Sequence, residues 1–321
     1  MLSIAIFTRY YNNIDFMFNE WYTSYMLRNL LLDKDNKETL LYDNSGFPVF
    51  IGLNELSRFA LGYVPWHWHN ELQFCVVTKG TVTFKMHGEE HNLASGDGIF
   101  FNSGVLHMAQ SKDNDGTYIC VNADKKLISS FPGGVIDEKY VSPFSGSSKL
   151  SFMLLSQHEP WSASALANIT EIFNSYETKE YGFELIICSK LMYIWKTLIG
   201  SGDHDTRSPA QHDARQRVMK DIIKYIEINY PERITLDDIA NLVHLSKGEC
   251  CRAFKRDANT TIFNYLTSYR VQKSAELLTT SDMSISQVAS AVGFSSPSYF
   301  TEMFKKYTNQ TPSDYRSTDT K

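Results

Sequence analysis

Cysteine is scarce and scattered in this chain of 321 residues. The five, Cys75, Cys120, Cys188, Cys250 and Cys251, form no CxxC pair and are odd in number. That excludes a disulfide framework and a cysteine zinc site, and it fits a reducing compartment. Long apolar runs are missing too. Met1 to Leu32 is rich in aromatics and leucine, but Arg9, Asn12, Asn13, Asp15, Glu20 and Arg28 interrupt it. Nothing there approaches the ~20 apolar residues of a membrane span. The stretch also lacks a basic start followed by a clean apolar core, so no signal peptide is read and a cytoplasmic protein is expected. Positive charge is short as well. At a net charge of −5 the chain as a whole does not look like a nucleic-acid binder.

The distribution of charge says more than the total. Residues 210–321 hold 15 Lys and Arg against 13 Asp and Glu, whereas the rest holds 16 against 23. The C-terminal third is therefore the better partner for an anionic polymer. Length predicts two domains, and a hydrophobic share of 43% is enough to bury their cores.

Three zones divide the chain. From about 40 to 145, β-branched and aromatic runs such as Phe74–Thr78 and Thr81–Phe84 are cut by Lys79-Gly80, His87-Gly88 and Ser95-Gly96-Asp97-Gly98. Short strands at near-regular spacing predict a sandwich or barrel. From 161 to 199, Leu166, Ile169, Ile172, Phe173 and Tyr176, then Leu185, Ile186, Cys188, Leu191, Met192 and Trp195, recur at helical spacing. This helical pair either covers the sheet or joins two copies of the chain. Gly200 to Pro209 is polar and carries Gly and Pro, as a linker does. The expected division is 1–40 an extension, 41–145 a sensing barrel, 146–200 the helical pair, 201–212 the linker and 213–321 a helical domain.

The strongest signal is an internal repeat. Ile234-Thr235-Leu236-Asp237-Asp238-Ile239-Ala240 aligns with Met283-Ser284-Ile285-Ser286-Gln287-Val288-Ala289 at an offset of 49, and Phe254-Lys255 with Phe304-Lys305 at 50. Each copy reads as a short helix, a tight turn and a second short helix. Thr235 with Asp238, Ser246 with Glu249 and Ser284 with Gln287 predict capping boxes. Ser296-Pro297 and Thr311-Pro312 place a cap before a proline at the first helical position. Gly293 falls at the turn of the second copy. Ile262 to Thr280 predicts one helix between the copies, roughly 28 Å long at 1.5 Å per residue.

Such a unit lays its second helix in the DNA major groove. In the first copy Lys247, Gly248, Cys251, Arg252 and Lys255 face away from Cys250, Ala253 and Phe254. Arg252 is the expected base reader, because guanidinium pairs bidentately with guanine. Lys247, Lys255 and Arg256 suit phosphates. In the second copy Tyr299, Phe300, Met303 and Phe304 are expected in the core. Ser296, Pro297, Ser298, Thr301 and Glu302 lie on the DNA side, with Lys305 and Lys306 suited to phosphates.

Ile285 to Phe294, then Ser298-Tyr299-Phe300, Phe304-Lys305-Lys306, and Thr311-Pro312 with Tyr315-Arg316, resemble the signature of the AraC/XylS family of bacterial transcription regulators. Arg270, Ala275, Leu277 and Leu278 fit it too. The resemblance covers about 215–316. It departs at Asn309, where the family usually has Gly, and at Gly248 and Cys251, where it often has base-reading side chains. It implies double-stranded DNA and RNA polymerase as partners and a homodimer, with the work of an activator and that of a repressor both open.

Pro65-Trp66-His67-Trp68-His69-Asn70-Glu71-Leu72-Gln73 and the later Gly96 to His107 resemble the two motifs of the cupin barrel, a sensor domain found in many such regulators. Alternation along one strand puts His67, His69, Glu71 and Gln73 on one face, with Trp66 and Trp68 on the other as packing residues. With His107, the resemblance makes these the effector-binding residues. Three readings stay open: a metal site for zinc, iron or manganese, a pocket for a small effector such as a sugar, or barrel lining with no ligand. Gln73 stands where metal cupins carry Glu, so neither a metal nor another cofactor is expected. The fold expected is an N-terminal all-β cupin (double-stranded β-helix) barrel plus helices, followed by an all-α domain with two helix-turn-helix units. The function expected is a ligand-responsive regulator, with no catalytic residues, of carbohydrate-related genes. The alternatives are a metal-dependent cupin enzyme and a ligand-independent DNA-binding protein.

Overall fold

The computed structural model describes residues 37–38, 46–147, 150–201 and 209–318. Most of the expected 1–40 extension and the linker core, 202–208, lie outside the described residues. The N-terminal domain is two antiparallel sheets. One has the order β1 (Val49–Glu55), β8 (Thr117–Ala123), β3 (Leu72–Lys79), β6 (Gly98–Phe101), β9 (Phe152–Leu155). The other has the order β2 (Tyr63–His67), β7 (His107–Gln110), β4 (Thr81–Met86), β5 (Glu89–Ala94).

Alternation along β3 explains the layers. Cys75 and Val77 point between the sheets, into a core with Val82, Phe84, Ile99, Phe101 and Tyr118. Phe74 and Val76 point the other way, onto helices α2 (Pro160–Thr178) and α3 (Phe183–Gly200), where Phe100, Leu166, Ile169, Ile187 and Trp195 meet them. Because β3 is covered on both faces, its middle, Phe74 to Val77, reads as an unbroken apolar run. The helical pair therefore covers the five-stranded sheet. The short helix α1 (Lys126–Ser129) packs beside it. The sheet also runs past the expected limit at 145. Phe152 to Leu155 pairs with β6 as its edge strand, a segment too short to announce itself by pattern.

The C-terminal domain starts earlier than expected, at α4 (Pro209–Asn229). The repeat then appears as two matched units. Helix α5 (Leu236–Leu242) precedes α6 (Lys247–Ala258), and α8 (Ile285–Ala291) precedes α9 (Pro297–Thr308). Helix α7 (Ile262–Thr280) joins them, and α10 (Pro312–Thr318) closes the chain. All three expected capping boxes form. Asn259 and Asn309 end α6 and α9 in the left-handed conformation, at φ of 52° and 61°. Asn tolerates that region best after Gly, so Asn309 does not disturb the fold. In the inter-helix turns, His244 and Gly293 are both left-handed, at 54° and 85°. Only the second must be Gly. A Cβ there would lie 2.5 Å from the Pro231 carbonyl oxygen and 2.6 Å from that of Tyr230.

Candidate effector cluster and nucleic-acid interface

The stretch from Trp66 to Gln73 is a corner. Strand β2 ends at His67 in one sheet and β3 starts at Leu72 in the other. The expectation of a single alternating strand is thus corrected. The chain crosses between sheets at 68–71, and the crossing still turns His67, His69 and Gln73 inward, all buried. Glu71 is half-buried; its main-chain carbonyl accepts from His69, and its carboxylate lies 4.0 Å from the same ring nitrogen.

His107, at the start of β7, completes a cluster. Ring centroids are 4.2 Å apart for His67–His107, 5.3 Å for His69–His107 and 6.0 Å for His67–His69. Phe101 stacks on His107 with centroids at 4.2 Å. Each Nδ1–H donates to a main-chain carbonyl. His67 uses Pro65 at 2.8 Å, His69 uses Glu71 at 3.0 Å and His107 uses Val105 at 2.9 Å. These bonds leave Nε2 as the lone-pair nitrogen in every ring. On His69 and His107 it is buried with no hydrogen-bond partner.

Burial drives the histidine pKa values down, to about 3 for His67, with His69 adding to the effect, and to about 4 for His69. Burial, then His67 and His69, takes His107 well below its ordinary value. All three imidazoles are neutral at physiological pH. Gln73 donates to Cys120 Sγ at 2.9 Å and also acts on His69, where its side chain opposes the effect of burial.

One acidic group of the site escaped sequence reasoning. Glu38 is buried, with its Oε2 3.9 Å from His67 Nε2. Its main-chain N–H donates to the Trp68 carbonyl at 2.7 Å, which ties the N-terminal segment across the corner. Burial, then the charge of Glu71, raises the Glu38 carboxyl to about 8. Glu38 lies 29 residues before His67, outside any motif, so no local signal marked it. The cluster offers lone pairs and one ionisable carboxyl, a set that accepts hydrogen bonds or ligates a cation.

The outer face of the same corner touches the other domain. Trp66, buried with Leu106 and Met108, packs on Met219, Ile222, Ile223 and Ile226 of α4. Lys220 Nζ sits 4.2 Å from the centroid of the Trp68 ring and donates to the Gly104 carbonyl at 2.6 Å. Gly104 N–H in turn donates to the His69 carbonyl at 2.8 Å. Further out, Asn259 Nδ2 donates to Glu90 Oε1 at 2.7 Å.

On α6, Lys247, Gly248, Cys251, Arg252 and Lys255 are exposed, while Cys250 and Phe254 are buried. Arg252 leans back along its helix, with Nη1 3.2 Å from where a Gly248 Cβ would be. Gly248 thus leaves room for the guanidinium. Lys247 pairs with Asp237 at 2.7 Å. Arg256 is paired as well. Its guanidinium donates twice to Asp257, at 2.6 and 2.7 Å, at the helix end that faces the barrel, and its side chain stays 48% exposed.

On α9, Pro297, Ser298, Glu302, Lys305 and Lys306 are exposed, and Ser296 and Thr301 are half-buried. Ser296 caps the helix by accepting from Tyr299 N–H, and the Thr301 hydroxyl donates to the Pro297 carbonyl at 2.9 Å. Tyr299 corrects the core expectation. It is 45% exposed, packed edge-on against Phe294, and shares the outward side with Ser298 and Glu302.

Comparison with known proteins agrees with this architecture. Residues 57–186 match the family described as an AraC-like ligand binding domain, and 239–318 match a helix-turn-helix domain family. An uncharacterized HTH-type transcriptional regulator of Bacillus subtilis, YdeC, is 34% identical over 291 residues, 90% of this chain and 99% of the relative. The melibiose operon regulatory protein of Escherichia coli is 23% identical over 78% of this chain and 82% of its own. The lactose operon transcription activator of Staphylococcus xylosus is 23% identical over 75% and 82%. Paired helix-turn-helix units behind a ligand-binding barrel, with a full-length relative of the same kind, leave one assignment: the chain belongs to the AraC family of DNA-binding transcription regulators.

Proposed function

We propose that this regulator responds to an effector held at the histidine end of the barrel, and that it governs carbohydrate-related genes as a cytoplasmic homodimer working with RNA polymerase. One observation carries the responsive part. Residues 66–69 present His67 and His69 to the inside of the barrel and Trp66 and Trp68 to α4 of the DNA-binding domain. A change in the cluster therefore reaches the DNA-binding half through adjacent residues of one strand end. The carbohydrate reading draws support from the melibiose and lactose operon relatives. The dimer reading draws support from α3, whose outer side leaves Leu185, Met192 and Tyr193 exposed at helical spacing while its inner side is buried on the sheet. Base reading falls to Arg252 in the first unit and to Ser298, Tyr299 and Glu302 in the second. Lys255, Lys305 and Lys306 hold phosphates.

The test starts from duplexes selected by the full chain out of a random pool. Their affinity is measured with and without a panel of mono- and disaccharides. A sugar should change the affinity in the wild type, and Trp68→Ala should keep DNA binding but lose the response. A panel that moves neither DNA affinity nor melting temperature overturns the carbohydrate reading.

A further inference from the structure

We infer that the crevice where the barrel, α4 and the end of α6 meet is a binding site for a small organic carboxylate with an apolar body. It is separate from the histidine cluster, which faces the inside of the barrel. Trp66, His87 and Leu106 line it from the barrel, Arg215, Gln216 and Met219 from α4, and Asp257 from the end of α6. With its open mouth it measures about 470 Å³. That is toward the small end of the roughly 300–1,000 Å³ of ligand pockets. It suits a single-ring molecule rather than a long chain.

The lining divides by chemistry. Trp66, Leu106 and Met219 are buried and form an apolar floor. Arg215 is exposed, and among the described residues it has no hydrogen-bond or ion-pair partner. Gln216 beside it turns its amide nitrogen to the His87 ring, 3.3 and 3.4 Å from the two ring nitrogens. Asp257 is the acidic group of the lining, and both of its oxygens already accept from Arg256, at 2.6 and 2.7 Å. The charge left uncompensated in the crevice is therefore that of Arg215. An amine would meet it as a like charge, whereas a carboxylate can accept two parallel hydrogen bonds from the guanidinium. A bare inorganic anion would give up hydration over the apolar floor and gain no contact there. A ring or short chain bearing one carboxylate satisfies the floor and the arginine together.

Such a molecule touches both domains. It favours their docked placement by the affinity that it would lose if they separated. The crevice thus gives the regulator an input of its own, independent of any effector at the histidine end.

The experiment titrates the full chain with 4-fluorobenzoate and follows its fluorine resonance by line broadening. Saturable binding is expected with a dissociation constant of about 1 mM or tighter, which asks no more of each heavy atom than small ligands ordinarily give. Neither 4-fluorobenzylamine nor inorganic phosphate should displace it. Arg215→Met should weaken binding at least about tenfold, the usual scale for losing a charged hydrogen bond. Arg215→Lys keeps the charge and should recover most of that loss. Arg215 is exposed, so neither change removes a core contact. No saturable binding, equal affinity in the wild type and Arg215→Met, or equal binding of the amine overturns the site. DNA is added separately. Coupling is reciprocal, so a selected duplex should change the affinity for 4-fluorobenzoate by the factor by which 4-fluorobenzoate changes the affinity for that duplex. Equal affinity with and without DNA overturns the coupling. A sugar response in a protein that does not bind 4-fluorobenzoate strikes this site and leaves the histidine-end reading standing. The opposite pair of results upholds this site and strikes that reading.

Discussion

Glu227 on α4 is a carboxyl group in the wrong surroundings. It is buried under α7, where Tyr265 Oη donates to it at 2.5 Å, and burial raises its pKa from the ordinary 4.5 to about 8 against the opposing effect of that hydrogen bond. A raised folded-state value means that the folded chain keeps a proton the unfolded chain releases. The group's contribution to stability is full below about pH 4.5 and is lost as pH climbs toward 8. Over pH 6 to 8 the unfolded carboxyl is almost fully ionised while the folded one goes from protonated to half ionised, so stability should fall by about 2 kcal/mol from this group alone. Glu227→Gln keeps the shape and an acceptor for Tyr265 but cannot ionise. It should be the more stable protein at pH 8, with a shallower pH dependence. Urea unfolding of the full chain, followed by far-ultraviolet circular dichroism at both pH values, measures this. With a slope of about 2 kcal/mol/M, the wild-type midpoint should drop by about 1 M more than the variant's. Taking the difference removes every other titrating group, including Glu38. Equal midpoint shifts in the two proteins would refute the reasoning and place Glu227 in water.

Gly293→Ala should cost at least ~2 kcal/mol, because a left-handed alanine is strained and its Cβ meets two main-chain oxygens that cannot move aside; thermal unfolding checks it, and an unchanged melting point contradicts the turn geometry. Arg252→Ala should lose roughly 1–3 kcal/mol on selected DNA and relax base preference at one position, whereas Lys305→Ala should weaken all sequences alike and lower the salt slope by about one. Anisotropy titrations over several salt concentrations separate the two, and uniform loss for Arg252→Ala would make it a phosphate contact. Leu185→Glu with Tyr193→Glu should leave a folded monomer by sedimentation equilibrium if α3 joins the copies; an intact dimer moves the interface elsewhere.

The paired reading helices were legible because their signals are local. Capping boxes, a proline at a first helical position and a turn glycine are all written within four or five residues, and the offset of 49 then 50 repeats them. The histidines were legible for the same reason. What stayed hidden depends on distant chain. Glu38 is brought to His67 by a main-chain bond to Trp68, and Gln73 turns to Cys120 on a neighbouring strand. Arg256 has the charge of a phosphate contact, and its pairing with Asp257, whose Oδ1 lies beside Gly88 of the barrel, has no signal in the pattern of its helix. Tyr299 obeys the apolar spacing of its helix and still lies at the rim, because Phe294 fills the place beneath it. Periodicity sorts residues by face. It does not say how far a second domain or a neighbouring ring extends the buried side.

If the barrel controls the DNA-binding half as proposed, the contacts between the domains set the scale of that control. Lys220 is the most specific link, through its hydrogen bond to the Gly104 carbonyl and its position over Trp68. A charged hydrogen bond contributes about 1.5–3 kcal/mol and a cation over an indole about 0.5–1 kcal/mol. Their sum, about 2–4 kcal/mol, matches or slightly exceeds the coupling of 1–3 kcal/mol that typical allosteric proteins use. An effector that shifts the His69–Gly104 hydrogen bond need not unfold or detach anything. It has only to favour one placement of Gly104 and Trp68 over another, and its leverage equals its difference in affinity for the two. The apolar contact of Trp66 with α4 is non-directional and tolerates such a shift. Under the proposed sensing role, directional control falls to Lys220 with Trp68 and Gly104 and to Asn259 with Glu90, and the apolar patch keeps the halves together while that control changes state.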